Sequence, residues 1–434
     1  SAGSFFAQLN KINLYKDTLG IDGNIKSNFK KAHNRILSDL TISQLKINTS
    51  RDNSILPEIK VTFNSDSLRT LLNAGSDFFN IKVEIKKPLS QLGLILPEYR
   101  QYAETIIDSS SQNRLKRISF LPEMKAVISI RHHKALGLIM NDTTFHFAGF
   151  DLNVINNPVG DKINYNLSGN DIKFKSINIG NINTTLKDSA GTMYLLASAE
   201  NCSLYSHRLN KILIINRFSN QQGITDITVY EKPDKILYNF EISSLMDSTG
   251  IIFCVPSKQL TMNGVKWQMD APDLFKFNRS VKAFLVSMRM HTNGSSVNIT
   301  SDITGGLHTR GEMDQVDIAS LLPVHLIQGN PAGFISGSAD YSAGLHQGKE
   351  FHSELNFKDI SWSDINFRRL TLKGNFISET PKDYIVNLTA GMDSSNISLK
   401  ASKPADGSRK LSAEFTNLSI KNFQPFVKRF LSDL

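Results

Sequence analysis

In Phe357-Lys-Asp359-Ile360-Ser-Trp362-Ser-Asp-Ile365, apolar residues recur with a spacing that changes between two and three. A spacing of two places alternate side chains on one face of a β-strand. A spacing of three would turn the next apolar side chain to the wrong face of a regular strand. A β-bulge or a tight turn at this point would restore the facing, and bulges also bend and twist the strand.

The same pattern recurs along the chain, which predicts an internal repeat. Its longest match aligns residues 167–186 with 355–374, so that Asp171 corresponds to Asp359 and Phe174 to Trp362. The copies are irregularly spaced, which argues against a strict solenoid. Any β-rich chain produces some alternating matches, but here a polar position and a phase break recur together. The polar position is occupied by Asp39, Asp171, Gln315, Asp359 and Asn417.

Alternation outside the repeat predicts the same fold class. Phe284–Met290 and Val297–Ile299 alternate apolar and mostly polar residues, and Asn293-Gly294 between them is a strong hairpin signal. We therefore predict a mainly β protein, with an elongated, curved antiparallel β-sheet that forms an apolar groove and with a few short helices. Two regions are predicted, residues 1–250 and 251–434, with helices over Asp66–Phe78, Pro88–Ile107 and, as an amphipathic segment at the end, Asn422–Leu434.

Composition restricts the classes of function. The chain has 434 residues and a formal net charge of +9, but its basic residues are scattered in pairs such as Lys30-Lys31 and Arg368-Arg369. This scatter argues against nucleic-acid binding and leaves two readings, a solvated surface or contact with an anionic lipid surface. No apolar run approaches the roughly 18 to 20 residues that span a bilayer, and no signal peptide is visible. The chain is interpreted as a soluble piece of a larger protein.

Chemical motifs give no indication of an enzyme. We find no nucleophile elbow, phosphate-binding loop or zinc-protease motif, and we expect no cofactor. His132 and His133 are adjacent, so a strand would point them to opposite faces and away from one shared metal. The repeated acids are expected to bond the backbone at strand bends. Cys202 and Cys254 form no disulfide framework, and whether they pair stays open.

Two segments resemble a known family. Met313-Asp-Gln-Val-Asp-Ile318-Ala-Ser-Leu-Leu-Pro323, followed by Gly333-Phe-Ile-Ser-Gly337, is similar to repeat junctions of the AsmA-like superfamily. Leu418-Ser-Ile-Lys-Asn-Phe-Gln-Pro-Phe426 resembles the same junction in the TamB branch of that superfamily. The resemblance implies a periplasmic segment of an inner-membrane-anchored protein whose β-groove carries phospholipid between the inner and outer membranes. It also implies an outer-membrane barrel partner of the TamA type.

Two hypotheses for function remain at this stage. In the first, the apolar face conducts lipid, because acyl chains can slide along a lining that lacks deep polar anchors. In the second, the chain is a scaffold or chaperone whose edge strand pairs with a strand of an outer-membrane β-barrel protein. A plain structural β-domain is a third interpretation. The residues predicted to line the groove are Phe174, Ile179, Val286, Met288, Ile360, Trp362, Phe367 and Ile420.

Overall fold

The structure is a computed structural model of the chain. It describes residues 2–8, 19–32, 35–49, 53–94, 97, 100, 121–134, 145–157, 162–189, 192–204, 207–219, 222–246, 250–255, 259–270, 273–278, 283–303, 306–321, 331–344, 348–362, 365–378, 383–392, 395–404 and 407–417.

The chain divides into two compact units. The first comprises Ser1–Asp226 with Glu231–Pro233, and the second comprises Ile227–Tyr230 with Asp234–Leu434. The sequence-predicted boundary at 250/251 falls inside the second unit. Strand β14, Gln222–Lys232, contributes residues to both units.

The first unit is an antiparallel sheet in which most strands pair with their neighbours in sequence. The short strand β4 and strand β5 pair with the same edge of β3, β4 at residues 46–48 and β5 at residues 36–42. Its strands are β1 Ala2–Gln8, β2 Leu19–Ala32, β3 Arg35–Thr49, β4 Asn53–Ile55, β5 Ile59–Ser65, β6 Thr70–Ser76, β7 Phe79–Ile85, β8 Met124–Arg131, β9 Gly149–Asn157, β10 Lys162–Phe174, β11 Ile177–Ser189, β12 Thr192–Leu204 and β13 His207–Ser219.

The second unit is also an antiparallel sheet, with a single helical turn at Ile318–Leu321. Its strands are β15 Lys235–Met246, β16 Gly250–Val255, β17 Gln259–Met262, β18 Val265–Met269, β19 Asp273–Asn278, β20 Ala283–Thr292, β21 Ser295–Asp302, β22 Gly306–Asp317, β23 Ala332–Gly344, β24 Lys349–Trp362, β25 Ile365–Ser378, β26 Tyr384–Met392, β27 Ser395–Lys403 and β28 Lys410–Thr416. The strand pairings among the described residues of both units are antiparallel, so the predicted fold class is confirmed.

Two short strand pairs share the space between β15 and β20. Strand β15 pairs with both β16 and β17, and β20 pairs with both β19 and β18. The inner pairs are β16 with β19 and β17 with β18. Four short strands therefore complete one wall of the second unit, beside the longer strands from β20 onward.

The polar position of the repeat is where the backbone leaves the regular strand conformation. Asp171, Gln315, Asp359 and Asn417 have φ values of 49°, 46°, 51° and 53°. Short polar side chains tolerate this left-handed region better than β-branched residues do. The register of β22 with β23 shifts between Met313 and Val316, and that of β23 with β24 shifts opposite Asp359. The predicted bulges are confirmed at these two sites, and each coincides with a residue of positive φ.

The first copy of the repeat departs from this rule. Its positive φ, 52°, lies at Gln44 and not at Asp39. The register of β2 with β3 shifts at the same place, between Asp22 and Asn24 on the facing strand. The bulge is therefore present in this copy, but it is displaced along the strand.

The longest sequence match corresponds to two equivalent hairpins. Phe174 pairs with Ile177 across the β10–β11 turn, and Trp362 pairs with Ile365 across the β24–β25 turn. In both ladders the regular pairing is interrupted at the aligned acid. The alignment of residues 167–186 with 355–374 is therefore an alignment of hairpins in register.

The helix predicted over Asp66–Phe78 is wrong, because this segment is a turn followed by β6. The Oδ1 atom of Asp66 accepts hydrogen bonds from the backbone N–H groups of Leu68 and Arg69, at 2.8 and 2.9 Å. The same bonds would cap a helix, but here the Asp66 N–H also donates to the Arg69 carbonyl and closes a turn. Leu68 is 76% exposed at the tip of the turn.

Two other helix predictions fall partly or wholly outside the described residues. A 3-10 helix occupies Leu89–Leu94, within the predicted Pro88–Ile107, and most of the remainder of that range lies outside the described residues. The predicted helix over Asn422–Leu434 lies outside them entirely.

Candidate functional site

The second unit contains an apolar cavity of about 810 Å³. It is a groove rather than a sealed void, and one face of the sheet from β15 to β24 curls around it. Few of its lining side chains carry a polar group. The lining residues are Tyr238, Phe240, Ile242, Val255, Leu260, Met262, Phe275, Met288, Met290, Val297, Ile299, Thr309, Gly311, Glu312, Met313, Leu321, Ala339, Tyr341 and Phe351.

Strand alternation explains why one face is apolar. Met288 and Met290 on β20 lie two residues apart, so both point to the cavity side of the sheet. On β22, Thr309, Gly311 and Met313 line the cavity at a spacing of two, and Arg310 between the first two is exposed. Arg310 forms an ion pair of 2.8 Å with Glu312. Glu312 thus borders the cavity as the partner of Arg310 and not as an isolated charge.

A sealed core lies beside the cavity. Trp267 and Val316 are 0% exposed, and both belong to a cluster with Leu260, Met290 and Val297. Leu260, Met290 and Val297 also line the cavity. The same strands therefore build a closed core that fixes the fold and an adjoining open surface that can receive an apolar group.

Two of the three hydroxyl groups at the cavity, those of Tyr238 and Thr309, have protein partners. Tyr238 donates a hydrogen bond to Oδ1 of Asn263, whose Nδ2 donates to the Ala319 carbonyl at 2.9 Å. Burial raises the pKa of the Tyr238 phenol, so it stays neutral. The Thr309 hydroxyl is hydrogen-bonded to that of Ser301 at 2.9 Å. These groups orient the strands, and the cavity offers a ligand mainly apolar contact.

Of the eight sequence-predicted residues, Met288 lines the cavity. Val286 lies two residues before it on β20 and pairs with Phe275, which is also a lining residue. Val286 therefore extends the same apolar face. These two predictions point to the site that the structure contains.

The other predicted residues are placed elsewhere. Ile360 pairs with Phe367 across β24 and β25, and Trp362 follows two residues later on β24. Phe174 and Ile179 belong to the first unit, on β10 and β11, and Phe174 is 37% exposed. Ile420 lies outside the described residues. Phe174, Ile179 and Ile360 are therefore not among the described lining residues of the cavity.

Most lining residues were missed by the sequence reasoning. A usable signal was present in methionine content, because four of the ten methionines of the chain line this one cavity, Met262, Met288, Met290 and Met313. Met313 and Ile299 also stood in segments with clear alternation. Which alternating faces would converge depends on how the sheet curls.

Comparison with protein-family models, with curated proteins and with solved structures finds no match. Among the described helices, none has the length and apolar character needed to cross a membrane. The described part of the chain contains no group of three or more His, Cys, Asp or Glu side chains that could hold a metal ion.

Proposed function

We propose that this chain holds the acyl chains of phospholipids in the apolar cavity of its second unit and passes lipid along an apolar β-groove. The observation that carries the proposal is the continuous apolar lining contributed by strands from β15 to β24. Burial of each methylene from water stabilises a bound chain by about 0.8 kcal/mol. A volume of about 810 Å³ lies within the usual range of pockets for small molecules and cofactors.

The lining also suits movement of the ligand. The hydroxyl groups of Tyr238 and Thr309 are hydrogen-bonded to protein groups, and Glu312 forms an ion pair with Arg310. A bound chain would therefore meet neighbouring positions of similar energy, with no strong polar anchor to hold one of them. Movement along a groove requires such similarity, whereas a site for one defined ligand would present a directed polar group.

The wider setting of this function rests on the resemblance to the AsmA-like superfamily. We propose on that basis a periplasmic location, an inner-membrane anchor elsewhere in the protein, and lipid passage between the inner and outer membranes. The scattered net charge of +9 is compatible with contact at an anionic lipid surface.

Lipid extraction tests the proposal directly. The purified protein is extracted with chloroform and methanol, and phospholipid is quantified per mole of protein by mass spectrometry. We expect near-stoichiometric phospholipid, and we expect a pyrene-labelled phospholipid to move faster between donor and acceptor vesicles when the protein is added. Protein that carries no lipid and takes none up from vesicles would refute the proposal.

A specific observation supports a second candidate, a scaffold for outer-membrane β-barrel proteins. Strand β28 pairs with β27, and every residue of Lys410–Thr416 is exposed, with Leu411 at 78% and Phe415 at 56%. Among the described strands only β27 pairs with β28, and a strand edge of this kind can accept a client strand. Crosslinks from β28 to a barrel of the TamA type, together with absence of lipid, would favour this alternative.

A further inference from the structure

The lining of the cavity is unusually rich in thioethers. Met262, Met288, Met290 and Met313 line it, and Met269 lies in the adjoining core cluster. Met262, Met288 and Met313 are half-buried, whereas Met290 is 4% exposed. Three thioethers thus border the open part of the cavity, where a small solute from water can reach them.

We propose that Met262, Met288 and Met313 form an oxidation site that controls occupancy of the cavity, an inference that rests on the proposed function. Hydrogen peroxide would be the oxidant. The sulfur lone pair takes one oxygen atom, the O–O bond breaks, a sulfoxide forms, and the second oxygen leaves as water. The sulfur is oxidised by two electrons and the peroxide is reduced by two.

The product changes the chemistry of the wall. A sulfoxide is a polar hydrogen-bond acceptor in place of a flexible apolar group. Of the three lining hydroxyl groups, those of Tyr238 and Thr309 are already engaged with Asn263 and Ser301, which leaves at most Tyr341 to donate to three sulfoxides. A sulfoxide would therefore keep its water and exclude an acyl chain, because burial of an unpaired polar group is unfavourable. Reduction by a methionine sulfoxide reductase would restore the apolar wall.

The structure offers a matched control within the chain. Leucine has nearly the volume of methionine and cannot be oxidised to a sulfoxide, so the triple variant Met262→Leu, Met288→Leu, Met313→Leu should keep the cavity apolar. Met193 on β12 belongs to the first unit and is also half-buried, so its oxidation reports the dose of peroxide in every sample.

The experiment measures binding of a phosphatidylcholine with a pyrene-labelled acyl chain, presented in vesicles of unlabelled phosphatidylcholine, before and after peroxide treatment. Peptide mass spectrometry counts the oxygen atoms added at each methionine, and circular dichroism checks that the strands persist. We expect the oxidised wild type to bind the labelled lipid at least about tenfold more weakly than the untreated wild type, and the reductase to restore binding. Peroxide should leave binding by the triple variant unchanged.

Several results would overturn the inference. Unchanged binding with sulfoxide present at the three positions refutes it while leaving the proposed function intact. Equal loss of binding in the triple variant, or loss of the strand signal on oxidation, also refutes it. Failure of the untreated wild type to bind refutes the proposed function and the oxidation site with it. If the triple variant does not fold, Met288→Leu with Met313→Leu replaces it, and partial protection is the expected result.

Discussion

Met288→Glu places a carboxylate on the wall of the cavity and separates the role of this wall from that of the core. Met288 is half-buried and faces the groove, so the new carboxylate can remain hydrated in the folded protein. Its hydration shell would deny apolar contact to roughly four methylenes of a bound chain, a loss of about 3 kcal/mol at about 0.8 kcal/mol each. That loss corresponds to a rise of roughly a hundredfold in Kd.

The effect on folding should be much smaller than the effect on binding. We expect the free energy of unfolding to fall by only about 1 kcal/mol, from the apolar contact that the methionine loses. Val316→Asp is the contrast, because Val316 is 0% exposed in the sealed core. An unpaired charge there should cost several kcal/mol, roughly 4 or more, and unfold the second unit.

The assay combines binding of a pyrene-labelled phospholipid with thermal unfolding followed by circular dichroism. Ser287→Glu is the matched control, since Ser287 is exposed and neighbouring strand residues point to opposite faces. It should bind as the wild type does. Normal lipid binding by Met288→Glu would refute the role of this wall in binding. If Met288→Glu is destabilised as much as Val316→Asp, position 288 belongs to the sealed core and not to an open wall.

Three further predictions concern the fold. Asp359→Val should lower stability in urea by about 1–2 kcal/mol because a β-branched residue resists positive φ, whereas Asp359→Gly should be close to neutral; equal effects would argue against backbone strain. Backbone N–H donors hold the pKa of Asp66 below its ordinary range, so its carboxylate stabilises the fold above the unfolded pKa and this contribution is lost as pH falls through the folded pKa. Stability should therefore fall more steeply for the wild type than for Asp66→Asn as the pH drops below about 5, and parallel curves would contradict this. Burial, followed by the charges of His146 and His133, lowers the pKa of His132, so stability is lost as pH falls from the unfolded toward the folded pKa. His132→Gln should flatten the stability profile over that interval, and an unchanged profile would show that His132 is not the group responsible.

The strands and bulges could be predicted because both are local properties. A period of two fixes the face of each side chain within a strand, and a change of spacing requires a backbone correction nearby. The polar residues where the apolar spacing changes were predicted to have a structural role, through hydrogen bonds to the backbone. Their structural role is instead to adopt a positive φ. Asp359 and Asp171 have positive φ, and the Asp171 carboxylate contacts the side chains of Lys173 and His146.

The failure at Asp66 shows a limit of local reasoning. An Asp followed by leucines at helical spacing is a valid helix start, and its side chain makes the bonds expected of a cap. The outcome is decided by β5 and β7, which flank β6 and pair with it along its length. Pairing with the strands that precede and follow it in sequence overrides the helical spacing of this one segment.

The cavity could be predicted only in part. Alternation correctly indicated that Val286 and Met288 share an apolar face. It could not indicate that Tyr238 on β15 and Phe351 on β24 would line the same groove, because that depends on the curl of the sheet across the intervening strands. The insertion of two short strand pairs between β15 and β20 was likewise hidden, since it follows from long-range pairing.

Site-specific crosslinking tests the central claim most directly. A benzophenone amino acid is introduced at Phe351, which lines the cavity, and in a separate protein at His352, which is exposed on the opposite face of the same strand. Each protein is incubated with phospholipid vesicles, irradiated, and analysed by intact-mass spectrometry. We expect a phospholipid adduct at position 351 and little or none at position 352. Equal labelling at both positions, or labelling at neither, would contradict the claim that this cavity holds phospholipid acyl chains.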